Sequence, residues 1–151
     1  MCMGVYLATD QPQPLVEWRE EEPSFNVTDL SQEEAPVRGR FSKPHVYYLG
    51  AYTGCSCGFT PDEDGEEADA ERSLSDLVRY VERAAGSGTV ELFACWDGDY
   101  LEPAARRLEL TAADLAEPEL WFDELVFATV RVSGPAPTAG EGATTARSPW
   151  P

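Results

Sequence analysis

The chain has almost no histidine, almost no lysine and no long run free of charge. With His45 as its sole histidine, it offers no Ser-His-Asp set for nucleophilic catalysis and no multi-histidine metal site. Lys43 is the only lysine, and 11 basic side chains face 28 acidic ones, for a net charge of −17. A nucleic-acid backbone would be repelled, and no Lys/Arg stripe offsets the repulsion. An anionic membrane surface is excluded as a partner on the same ground. No apolar stretch reaches the roughly 18 residues that a membrane-spanning helix needs. The opening MCMGVYLATD lacks the basic flank and the apolar length of a secretory signal. Gly86-Ser87-Gly88 follows a helical pattern and precedes a strand pattern, the reverse of a phosphate-cradling loop. The expectation is a cytoplasmic protein in a reducing compartment, whose cysteines are not paired as disulfides. The sequon at Asn26-Val27-Thr28 is therefore discounted.

What is present suits a folded domain. Apolar residues make up 42% of the chain and aromatic residues 11%, enough for one core across residues 1–132. From Ser133 onward Gly, Pro, Ala, Thr and Ser dominate, and 133–151 reads as a disordered C-terminal tail. The acidity itself reads as a solubility device, with a basic protein partner as the sharper alternative.

Hydrophobic periodicity assigns the elements. Residues 3–8 alternate as a strand, with Met3, Val5 and Leu7 on one face and Cys2, Gly4 and Tyr6 on the other. Phe25 to Leu30 suggests a short strand after an exposed Pro- and Glu-rich connection. His45 to Tyr52 is apolar on both faces and reads as a central strand. The acidic stretch from Asp62 to Glu71 reads as a loop. Leu74, Leu77, Val78 and Val81 fall on one helical face, which places an amphipathic helix over about 73–86, with Ser73 as its cap and Gly86 as its stop. Strands follow at Thr89–Trp96, Arg106–Leu110 and Leu125–Val132. This order predicts an α+β fold: a mixed or mainly antiparallel sheet with that one long helix packed on it. The helix would serve as a crossover between the strands at 45 and 89.

The pointed chemistry lies in four cysteines: Cys2, Cys55, Cys57 and Cys95. Cys55 and Cys57 share a loop flanked by glycines, which lets the backbone turn tightly and aim N–H groups at sulfur. Four thiolates suit structural zinc, and an iron–sulfur cluster is the alternative. The single residue between Cys55 and Cys57 is shorter than the usual zinc-knuckle spacing. Cys2 starts one strand and Cys95 ends another, and either orientation of those strands is expected to leave the two thiols at opposite ends of the sheet. Cys95, between Ala94 and Trp96, is also the best candidate for a plain core thiol, followed by Cys2. His45 lies roughly 25–30 Å from the Cys55 loop if its strand stays extended, too far to share a site. Carboxylates at Asp97, Asp99 and Glu102 read as a solvated turn, with a bound cation as the alternative.

Two further readings remain for the thiols. An N-terminal Cys2, freed of Met1, would be a self-activated nucleophile. A thiolate stabilised in the 54–58 loop would be a redox or catalytic group, although nearby carboxylates would oppose its ionisation. The functional expectation is a cysteine-centred metal site, zinc foremost. A small thiol-dependent enzyme or redox protein using Cys55 and Cys57, and an acidic interaction module, stand as alternatives.

Overall fold

The computed structural model describes residues 2–60 and 66–132; the tail expected over 133–151 lies outside them. Six strands form one mixed sheet beside a single main helix, an α+β fold. The strands are β1 (Met3–Thr9), β2 (Asn26–Asp29), β3 (His45–Gly50), β4 (Thr89–Trp96), β5 (Arg106–Thr111) and β6 (Val126–Arg131), in the order β2-β3-β1-β4-β6-β5. The helix α1 runs over Glu67–Ala85. All neighbours pair antiparallel except β5 with β6.

Alternation along the strands builds two cores. Met3, Val5 and Leu7 of β1, Val90, Leu92 and Ala94 of β4, and Val126, Ala128 and Val130 of β6 face α1, which contributes Leu74, Leu77, Tyr80 and Val81. The opposite face carries Tyr6, Val46, Phe93, Cys95 and Phe127, covered by Val37 and Tyr100. Arg40 completes that cover: its guanidinium lies 3.9 Å from the Phe93 ring centroid and donates to the Tyr100 carbonyl. A sheet covered on both sides explains why β1 is buried at every position and why β3 reads as apolar on both faces. Both β3 and β4 run antiparallel to β1, so they are parallel to each other with β1 between them. The α1 segment joins them, and the expected crossover spans an intervening strand.

The helix begins at Glu67, not at Ser73. The charged residues Glu67 to Glu71, expected in a loop, form its first turns, where carboxylates complement the positive end of the helix dipole. Residues 62–65 lie outside the described residues. Ser73 is not a cap but a buried contact, its Oγ accepting the Tyr52 N–H at 3.0 Å. The Tyr52 hydroxyl in turn accepts the Glu66 N–H, so one tyrosine fixes the helix start from two sides. Gly86 ends the helix with φ 58°, a left-handed position that suits glycine. Asn26, the discounted sequon residue, is 2% exposed and donates from its side-chain amide to the carbonyls of Ser24 and Ala51.

Two outcomes follow for stability. Leu77 is fully buried between α1 and the sheet, so Leu77→Ala is expected to cost about 2–5 kcal/mol in denaturant unfolding. Burial also raises several acid groups above their ordinary values: the Cys95 thiol and the Tyr100 hydroxyl each to about 12, with Tyr6 and Tyr80 moved the same way. The folded chain then holds protons that the unfolded chain has lost. Stability is expected to fall as pH rises from about 9 toward 12, as read from thermal melts across that range.

Candidate metal centre

Three of the four cysteines meet. The sulfurs of Cys2, Cys55 and Cys57 all lie within 4.8 Å of one another, the one such group of potential ligands among the described residues. They arrive from two places: Cys2 directly precedes β1, while Cys55 caps the start of a short 3-10 turn, Ser56–Phe59, that follows β3, and Cys57 is the second residue of that turn. His45 is not in the group, nor are Asp97, Asp99 and Glu102.

The residue between the two loop cysteines sets this geometry. Ser56 is fully buried. Its hydroxyl accepts the Val5 N–H at 2.9 Å and donates to the Leu49 carbonyl at 2.5 Å. Val5 and Leu49 are the last matched pair of the β1–β3 ladder. The serine therefore continues the ladder by one step where β3 has turned away. One residue further on, the Cys57 thiol lies 4.0 Å from the Met3 carbonyl, and the chain start is held against the loop. The Ser56 N–H donates to the Tyr48 hydroxyl at 3.0 Å, a second tie back to β3. Glycine does the rest. Gly54 has φ 87° and lies against the Trp18 indole, and a Cβ on Gly58 would stand 2.6 Å from the Thr53 hydroxyl. The short spacing in Cys-Ser-Cys thus has a structural reason: the intervening side chain points into the sheet.

Cys95 is placed apart. The expectation that either strand orientation would separate Cys2 from Cys95 along the sheet does not hold. Antiparallel pairing sets the start of β1 beside the end of β4: Gly4 pairs with Cys95, and the Asp97 N–H donates to the Cys2 carbonyl at 2.9 Å. Yet Cys95 is fully buried in the second core, with Tyr6, Phe93 and Tyr100, and is not among the converging sulfurs. Tyr6 folds back over Gly4, whose added Cβ would lie 2.8 Å from the tyrosine oxygen, and packs in the same buried cluster as Cys95.

The thiols of the cluster are electrostatically unequal. Burial pushes Cys55 up, but hydrogen bonds from the Thr53 side chain, the Cys57 backbone and the Cys57 and Cys2 thiols outweigh it, and the group ends below its ordinary value. Burial, with the neighbouring Cys55 and Cys2, pushes Cys57 up to about 11. Sulfur donors this close, two of them half-buried and one exposed, form a soft site suited to a thiophilic cation.

No family model, no curated protein and no solved structure matches the chain. None of the helices in the described residues is long and apolar enough to cross a membrane.

Sequence reasoning found the loop pair and missed its organiser. The only signal for Ser56 was a small hydroxyl residue enclosed between two cysteines and two glycines. Ser56→Ala orphans the buried Val5 N–H and the Leu49 carbonyl. It is expected to cost about 1–3 kcal/mol, visible as a lower midpoint in urea unfolding.

Proposed function

We propose that Cys2, Cys55 and Cys57 hold one zinc ion, and that this ion fastens the start of β1 to the turn after β3. The observation that carries the reading is the convergence of the three sulfurs within 4.8 Å. Zinc–thiolate bonds of about 2.3 Å in a tetrahedron set sulfurs about 3.8 Å apart, a distance the cluster reaches with small side-chain adjustment. Three converging sulfurs fall one short of the four thiolates that an iron–sulfur cluster takes, whereas a zinc ion accepts three protein ligands. Three protein sulfurs leave the fourth position to an exogenous ligand, the donor count of an open zinc site.

A second reading, thiol redox chemistry, is favoured by the inequality of Cys55 and Cys57, since a lowered thiol beside a raised one resembles an attacking and a resolving pair. Metal content separates the two. Protein purified without a metal-binding tag should carry about one zinc per chain. Cys55→Ser and Cys57→Ser should each empty the site, while Cys95→Ser should leave it loaded. Zinc retained in both loop variants rejects the assignment. Metal-free protein with one thiol that alkylates fast at neutral pH establishes the second reading.

The site's pH dependence has a defined sign. Cys57, raised to about 11, enters protonated at neutral pH and must lose that proton to bind. Zinc affinity is expected to strengthen as pH rises from 6 to 8, with acid released into a weakly buffered solution on metal addition.

A further inference from the structure

Beside the sulfur cluster lies a small recess of ≈ 100 Å³, lined by Cys2, Gly4, Tyr6, Glu34, Tyr48 and Asp97. Cys2 belongs to both the recess and the cluster. The walls are fixed by hydrogen bonds. Tyr6 donates to Glu34 at 3.0 Å, Tyr48 accepts from Ser56, and one oxygen of Asp97 accepts from Tyr100 at 2.5 Å. Glycine at position 4 leaves the room that Tyr6 occupies. Two carboxylates line this space and no Lys or Arg does.

Resting on the zinc reading, we propose that this recess admits a small thiol carrying a protonated amine, which binds through sulfur as the fourth ligand of the ion. A zinc ion with three thiolates bears a net charge of −1. Such an electron-rich ion acidifies bound water less than one held by neutral imidazoles, and a soft sulfur donor is the ligand it favours. In the exchange the thiol S–H bond breaks, a zinc–sulfur bond forms, and the displaced water leaves carrying the proton as hydronium. No electron is transferred. The site charge moves from −1 to −2 beside a recess that Glu34 and Asp97 line. An amine on the incoming thiol compensates that added charge, and an anionic thiol worsens it. The recess has room for a ligand of a few non-hydrogen atoms.

Cobalt(II) in place of zinc gives the readout, because sulfur-to-cobalt absorption reports the number of bound thiolates. Cobalt-loaded full-length protein is titrated with cysteamine, 2-mercaptoethanol, thioglycolate and ethanolamine, and cobalt content is measured after each titration. Cysteamine should raise the absorption saturably and bind about tenfold more tightly than 2-mercaptoethanol. Thioglycolate should be weakest, and ethanolamine should leave the absorption unchanged. Asp97→Asn and Glu34→Gln should each erase most of the preference for cysteamine while cobalt stays bound. The proposal is overturned if no thiol changes the absorption, if thioglycolate matches cysteamine, or if the thiols strip the cobalt away. Those results leave the zinc reading standing. Failure of cobalt to load through Cys2, Cys55 and Cys57 overturns both.

Discussion

The cluster depends on one buried hydroxyl. Ser56 stands between the backbone of β1 and that of β3 and satisfies a donor on one and an acceptor on the other. Without it, two buried polar groups would face each other across the end of a ladder with nothing between them, an arrangement folded proteins rarely tolerate. Because the hydroxyl is held on both sides, the backbone on either side of it is held too. Cys55 and Cys57, immediately before and after, have little freedom in where they present their sulfurs. The cluster is thus positioned by sheet hydrogen bonding as much as by cysteine itself.

That arrangement also divides the cysteines into two kinds. The alternation of β1 and β4 puts Cys95 opposite Gly4, at the same end of the sheet as Cys2. What distinguishes them is cover. Cys95 sits under Tyr6, Val37, Phe93 and Tyr100 as an apolar filler. Cys2 stands just beyond the start of the strand, exposed, where the turn after β3 can reach it.

Much of the fold was legible from periodicity because the sheet is regular. The faces of β1 and β4 follow from alternation, and the helical stripe Leu74, Leu77, Val81 packs as its spacing requires. The errors have specific causes. Glu67 to Glu71 look unsuited to a helix on charge alone, but the N-terminal turn of a helix favours carboxylates and only one face of it needs to be apolar. Ser73 has the composition of a cap and serves instead as an acceptor for Tyr52, a partner distant in sequence that no local window displays. The meeting of Cys2 with the 55–57 loop was hidden for the same reason. It depends on which strands become neighbours, and the adjacency of β1 to both β3 and β4 is a property of the whole sheet. The strand-end argument failed on geometry rather than on missing information, since antiparallel neighbours always bring a beginning beside an end.

The sheet order has a kinetic consequence. The first strand lies between two strands made later, so the two halves of the sheet are joined only when β1 has paired on both edges. Val5 and Ser56, which meet at the junction, are separated by 51 positions in the chain. Encounters over such spans lose loop entropy before any contact rewards them, which places this topology toward the slow end for domains of its size. Until the N-terminal strand docks, β3 and β4 each have an edge without its native partner, and such an edge is open to pairing with another copy of the chain.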